Sequence, residues 1–312
     1  MSRRASAALV VIPALFLGYF FLYPLAAILG TGLTRGGVPD LGPFDQILDR
    51  PRLLGVAWFT LWQAVASTLL TLVVALPAAA AVARYSFAGK RLFRALVTVP
   101  FVLPTVVVAS AFLALVGRGG VLGLDLSRSI WAILAAHVFY NVAVVIRTVG
   151  TAWERLDPRL EEAAMALGAT RAQAFRRVTW PLLRSSVVSA SSIVFLFTFT
   201  SFGVVLILGG FQYATLEVEI WRQATALLDL PLAAALSLLQ LLGVGAILFA
   251  YARSQERRTV EVPMRASHAT QRPPRTPGQR AFVAVSIGGL VTALGAPLAV
   301  LVERSLRTGD GY

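Results

Sequence analysis

The amino-acid sequence reads as an all-α polytopic membrane protein, and three features carry that reading. Of 312 residues, 57% are hydrophobic and 14% charged, with a mean hydropathy of +0.74, whereas soluble domains sit near 45–50% apolar and about 25% charged. Seven stretches carry no charge and approach or exceed the ~20 residues that cross a bilayer as a helix. The basic residues gather in every second connecting segment, as the spans of a membrane protein require. The same composition excludes a disordered chain. With no cysteine, disulfide scaffolds, thiol nucleophiles and Cys-ligated metals are excluded. Two histidines, His137 and His268, are too few for a His-based metal site.

The uncharged stretches are, in order, Ala7–Leu29, Val56–Ala83, Ala95–Val116, Ile130–Ile146, Ser185–Leu208, Leu230–Ala252 and Ala281–Val302. The first follows Arg3 and Arg4, but its apolar core is too long for a signal peptide and it reads as a retained helix. The fourth is short, and Trp131 and Arg147 at its ends suit the two interfaces, with Arg147 snorkelling. Residues 253–280 contain Pro263, Pro273, Pro274 and Pro277 among arginines, the composition of a poorly ordered linker.

Net charge is +13, and 27 of the 28 basic residues are arginine. The N-terminus and the segments around 84–94, 150–184 and 253–280 hold 19 basic and 6 acidic residues. The opposite segments hold 8 basic and 9 acidic. The whole excess therefore lies on one face, which the positive-inside rule makes cytoplasmic together with the N-terminus. Charge distributed this way answers to topology, so a nucleic-acid partner is not expected.

Pro24–Leu29 aligns with Pro297–Val302 at an offset of 273 residues. This short echo predicts that a second copy of the unit begins near residue 280 and stops at Tyr312. The expected organisation is a six-span domain at 1–252, a cytoplasmic linker at 253–280, and the first helix of a second, truncated half at 281–312.

The most informative segment is 156–183. Asp157 and Pro158 suit a helix N-cap and first turn. Leu160, Ala163, Ala164 and Leu167 recur on one helical face, and Gly168 suits the left-handed residue that ends a helix. Thr170-Arg171-Ala172-Gln173 fits a capping box that restarts one, and Pro181 allows a turn into the next span. The spacing predicts a helix–glycine–helix bracket whose exposed face is small and apolar, flanked by Glu161, Glu162 and Arg171. A hairpin lying on lipid headgroups would want more apolar depth and fewer acids. A knob seated in a protein groove fits better.

In its residues this segment resembles the "EAA" loop of binding-protein-dependent ABC importer permeases: Glu162-Ala163-Ala164, three residues, Gly168, nine residues, Val178, then Trp180-Pro181, with Trp180 in place of leucine. The stretches Leu134–Asn141 and Gly209–Ile220 also resemble the two-fold permeases for thiamine and for ferric iron. The resemblance implies a type I importer transmembrane domain, six helices plus one, in a bacterial inner membrane. It implies that the loop seats in a cleft of a separate ATP-hydrolysing subunit dimer. Glu162 and Arg171 would make polar contacts there, while Ala163, Ala164 and Gly168 allow close fit and Val178 and Pro181 complete the motif. A solute-binding protein outside the membrane and a second permease half are the other implied partners.

No phosphate-binding G-x-x-x-x-G-K-[ST] loop is present, nor an HExxH or G-x-S-x-G motif. The chain is therefore expected to be a transport subunit without cofactor, ATP being bound by its partner. His137, Tyr140, Asn141, Thr200 and Ser201 lie within apolar segments and are candidates to line a substrate path. Interhelical hydrogen bonding is the plainer role for such groups. Phe139, Tyr140 and Phe202 offer aromatic faces to an organic cation, and intramembrane acids for bare ferric iron are lacking, which favours thiamine. Glu217 and Glu219 in Thr215–Gln223 are placed to meet the binding protein. Two other classes fit the residues less well. An intramembrane enzyme needs a carboxylate or nucleophile–base pair that the spans do not show. An ion-gradient-driven secondary transporter or channel usually carries intramembrane ionisable residues, which are scarce here.

Overall fold

A computed structural model describes residues 11–35, 37–256 and 271–306. Among these the chain is helical apart from one two-stranded hairpin and its loops. It divides into two compact units, residues 1–58 with 216–244, and 59–215 with 245–312.

The first unit holds α1 (Val11–Gly30), the hairpin β1 (Thr34–Arg35) and β2 (Val38–Pro39), α2 (Gly42–Asp49), the start of α3 (Pro51–Arg84), α10 (Leu216–Thr225) and the first part of α11 (Leu230–Glu256). None of the apolar window of α1 is buried. Gly37 turns the hairpin at φ +83°, a region where only glycine sits without strain. At the end of α1, Gly32 lies so close to Ala234 of α11 that no side chain fits. Asp229 caps α11 by accepting from the Leu232 N–H at 3.1 Å.

The second unit is built on α6 (Ile130–Arg155), a helix of 26 residues and therefore about 39 Å long. Ser129 caps it by accepting from the Trp131 N–H. The apolar run predicted here ended at Ile146. The helix continues to Arg155 because its buried stripe, including Val142, Val145 and Val149, persists past the exposed Arg147. Around it pack α4 (Lys90–Val102), α8 (Arg171–Phe199) and α9 (Gly203–Leu208), while α12 (Pro277–Leu306) packs on α4 and α5 (Thr105–Val116). The face of α3 within this unit is small and polar: Ala64, Ser67, Thr71, Ala75, Ala78 and Ala79 are fully buried. Small residues allow the close helix approach that drives packing where lipid supplies no hydrophobic contrast. Ala79 accordingly comes within 3.8 Å of where a Cβ would stand on Gly150 of α6.

Two predicted spans are broken in the structure. The Ala95–Val116 stretch is two helices bent by 105° at Leu103–Pro104. Pro104 drives Leu103 into the extended region (φ −71°, ψ 142°) and offers no N–H. The Ser185–Leu208 stretch is interrupted at Thr200–Phe202, between α8 and α9. Its helix also starts earlier, at Arg171, with no turn at Pro181. A π turn at Phe175–Thr179 widens the helix immediately before the proline, where the ring would otherwise meet the carbonyl four residues back. Among the described residues six helices are long and apolar enough to cross a membrane, or seven if the bent pair counts as one span.

Of the linker, residues 257–270 lie outside the described residues. Its last part is ordered, contrary to expectation. Arg272 forms a parallel bridge with Tyr85, donating from its N–H to the Arg84 carbonyl at 3.2 Å and accepting from the Ser86 N–H at 3.1 Å. Thr276 and Gln279 then form a reciprocal capping box that starts α12.

Candidate functional site

The segment from Leu156 to Leu183 folds as the predicted bracket. α7 (Arg159–Ala166) begins with the Asp157 carboxylate accepting from the Arg159 N–H at 3.0 Å. It ends with Gly168 at φ +91°. The Ala169 N–H donates to the Ala164 carbonyl at 3.1 Å and the Gly168 N–H to the Met165 carbonyl at 3.0 Å. These two bonds are a Schellman motif, which satisfies the carbonyls left over at a helix end. Thr170 and Gln173 make the capping box of α8. Both arms of the hairpin are thus fixed by their own termini.

The base is anchored from below. Glu161 accepts from Arg84 of α3 at 2.6 Å and from the Thr179 hydroxyl, and Ala174 is buried. Glu161 therefore faces inward and does not flank the exposed face, as its position beside Glu162 suggested. Glu162 stays exposed and pairs with Arg272 at 2.8 Å. Ala163, Gly168 and Arg171 are exposed, Ala164 and Val178 are partly covered, and Pro181 is open at the start of the membrane-length part of α8. At the tip Leu167 is 90% exposed, with Leu160 and Met165 also open. An apolar knob held this rigidly in water is unfavourable unless something covers it.

The second region is where α5 and α9 meet. Both follow helix breaks, and they pack so closely that a Cβ on Gly203 would lie 2.5 Å from Thr105 Oγ1. Irregular backbone at membrane depth persists only when buried in protein or facing a cavity. The Tyr140 hydroxyl donates to the Leu103 carbonyl at 3.1 Å, at the first break. Ser201 sits in the second break, and its carbonyl accepts from Thr215 at 2.9 Å. Thr200 bonds back to the Leu196 carbonyl at 2.9 Å.

His137 is buried between α3 and the second break, with Nδ1 2.9 Å from Ser67 Oγ and Nε2 2.8 Å from Ser201 Oγ. Asn141 is buried and donates to the His137 carbonyl at 2.9 Å. Phe139 is also buried, edge-on to Phe112 with centroids 5.5 Å apart. His137, Asn141 and Phe139 are therefore in packed, bonded positions, whereas Tyr140, Thr200 and Ser201 are only partly covered.

The acids of α10 are used inside the first unit. Glu219 is fully buried, bound by both guanidinium nitrogens of Arg52 at 3.0 and 2.8 Å and by Gln223 at 2.6 Å. Glu217 accepts from Gln240 at 2.6 Å. Burial pushes its carboxyl above the usual 4.5, and the bond from Gln240 partly opposes this. Both acids, expected from the sequence to meet a binding protein, are thus engaged within the unit, Glu219 buried and Glu217 partly covered.

Sequence reasoning missed the anchors Arg84, Thr179 and Arg272 and the packing of Thr105 on Gly203. The Leu103-Pro104 step and Gly203 were signals of the two breaks. Nothing in the sequence pairs Arg84 with a residue 77 positions away.

The profile of a family described as "Binding-protein-dependent transport system inner membrane component" matches residues 72–260. The chain is 36% identical over 236 residues to the thiamine transport system permease protein ThiP of Brucella abortus (strain 2308), covering 71% of this chain and 43% of that protein. It is 34% identical over 190 residues to a probable molybdenum ABC transporter permease protein of Haloferax volcanii, covering 60% of this chain and 70% of that one. The chain thus spans less than half the length of the thiamine permease it matches. In fold it is similar to a chain of a bacterial alginate ABC transporter crystallised with a periplasmic protein bound to an alginate pentasaccharide. That match has a TM-score of 0.68 at 19% identity and covers 83% of this chain and 97% of that one.

Proposed function

We propose a function from one premise: this chain belongs to the family of binding-protein-dependent transport system inner membrane components. It is a multi-pass permease, and that family consists of transport components rather than enzymes. The α7–α8 hairpin is the handle by which a separate ATPase dimer drives it. The observation that carries this reading is Leu167, 90% exposed at the tip of a hairpin whose base is tied down by Glu161. A stiff apolar knob transmits a push as rigid-body motion of α7 and α8, and rocking of the helices then alternates access to a path through the bundle. The path follows the two helix breaks, with Tyr140, Thr200 and Ser201 at its edge and His137 and Asn141 bracing it.

The cargo is thiamine. The relatives reported above include a thiamine permease, and the region of the breaks offers hydroxyl and aromatic groups rather than acids. A binding protein outside the membrane delivers it. The chain supplies the first permease half plus the first helix of a second, supported by the echo at residue 297 and by the 43% coverage of the thiamine permease. The hairpin and the N-terminus lie on the cytoplasmic side of the inner membrane, where the basic excess falls.

Because the sequence has no cysteine, Leu167→Cys places a unique thiol at the tip. It should react with membrane-impermeant maleimide only from the cytoplasmic side and crosslink to the ATPase. Glu162→Lys and Gly168→Pro should abolish thiamine uptake while the protein stays inserted. Labelling from outside, or wild-type uptake in both variants, refutes the coupling role.

A further inference from the structure

We propose that a cavity beside the hairpin binds a phosphate ester carried on an apolar body. The cavity measures about 1070 Å³ and lies within the second unit, between the two arms of the hairpin, the ends of α3 and α6, and the Arg272–Phe282 segment. Its volume is of the order of known small-molecule sites, about 300–1,000 Å³.

Its charges select the ligand. Four arginines and two glutamates line it. Arg84 is matched by Glu161 at 2.6 Å and Arg272 by Glu162 at 2.8 Å. Arg171 and Arg275 face the cavity with no carboxylate partner among the described residues. Among the described residues the cavity therefore carries an excess of two guanidinium groups, each with the planar fork that fits phosphate oxygens.

The aromatic side chains of the wall suit the rest of such a ligand. Trp153 lines the cavity, and its indole N–H is buried with no hydrogen-bond partner. With no accessible surface that N–H is out of reach of a ligand, and Trp153 offers the cavity its ring alone. Apart from Thr276 and Gln279, the rest of the wall is mainly apolar. Trp153 and Phe175 are in ring contact at 5.9 Å, and Tyr85 and Phe282 at 6.4 Å. Guanidinium donors set beside aromatic pairs suit a phosphate attached to an apolar or aromatic group.

Two sources carry that chemistry. One is the headgroup of an anionic phospholipid, since the cavity lies at the ends of membrane-length helices, where aromatic and basic residues meet headgroups. The other is a soluble nucleotide. Binding at this place would tie the hairpin to the start of α12, because the ligand would touch both.

The test uses the purified 312-residue chain and does not depend on transport or on its cargo. Wild type, Arg275→Gln, Arg275→Lys and Trp153→Phe are each prepared in nanodiscs of phosphatidylglycerol or phosphatidylcholine and released for native mass spectrometry. Each is also titrated in detergent with ATP by thermal shift. The wild type should retain phosphatidylglycerol over phosphatidylcholine, or show a saturable shift with ATP, and the positive arm identifies the source. In that arm Arg275→Gln should lose about tenfold in binding, the effect of one charge-assisted hydrogen bond. Arg275→Lys should recover part of it and Trp153→Phe, which keeps an aromatic ring and removes only the enclosed N–H, should leave it intact, with unliganded melting temperatures unchanged. Equal binding by wild type and Arg275→Gln, or no binding of either probe by the wild type, overturns the proposal.

Discussion

Replacing Gly168 separates the backbone requirement of the hairpin from its packing. The residue stands at φ +91°, and a Cβ built there would meet nothing within 4 Å. Space is thus available for any small side chain, and only the left-handed conformation resists one. That conformation costs an L-residue about 1–2 kcal/mol, or a factor of about 5–30 in the population of the bent hairpin. Asparagine tolerates the region better than alanine. Proline is fixed near φ −65° and has no N–H to donate, so it also loses the bond to the Met165 carbonyl. The expected order of retained function is Gly, Asn, Ala, Pro. Two assays read it: thiamine uptake in cells carrying the partner subunits, and hydrogen exchange at the amides of Gly168 and Ala169, which the Schellman bonds protect. Exchange should quicken in the same order as uptake falls. If asparagine proves worse than alanine, side-chain size matters and the backbone argument fails. Wild-type uptake and exchange in Gly168→Ala would also refute it.

Three further perturbations follow from the same contacts. Glu219→Ala should lower stability, since breaking a buried ion pair costs about 3–5 kcal/mol. Arg52 is 45% exposed and water will take over part of its pairing, so the lower end is expected; an unchanged melting temperature in detergent would contradict it. Gly203→Ala should cost about 1–3 kcal/mol by overpacking against Thr105 Oγ1. Adding Thr105→Ala should recover much of that loss, and purely additive effects in a double-mutant cycle would show that the two residues do not clash. Glu217 has its carboxyl raised above 4.5 by burial, so folding favours its protonated form. Its contribution to stability is complete below 4.5 and declines as pH rises through the folded value. Glu217→Gln should remove that decline from a melting-temperature profile taken upward from pH 4, and an unaltered slope would refute it.

The sequence alone determined the class of this protein and the local form of its hairpin. Hydropathy and the placement of arginine are properties of chain segments against water and lipid, so seven apolar stretches and one basic face are visible without a fold. Capping is equally local: Gly168, Thr170 and Gln173 act on backbone groups within a few residues, and the structure has them where the spacing put them. Tertiary structure decided what each polar side chain faces. Glu161 and Glu162 are neighbours in sequence, yet one is drawn inward by Arg84 and the other meets Arg272 across the hairpin. His137 and Asn141 were candidates for an open path and are instead enclosed by bonds to Ser67, Ser201 and the helix itself. Helix breaks fall between these cases. Pro104 announced one, but only the packing of Gly203 on Thr105 brings the two broken helices together. Pairing across long separations depends on where helices lie in space, and periodicity within one helix carries no record of it.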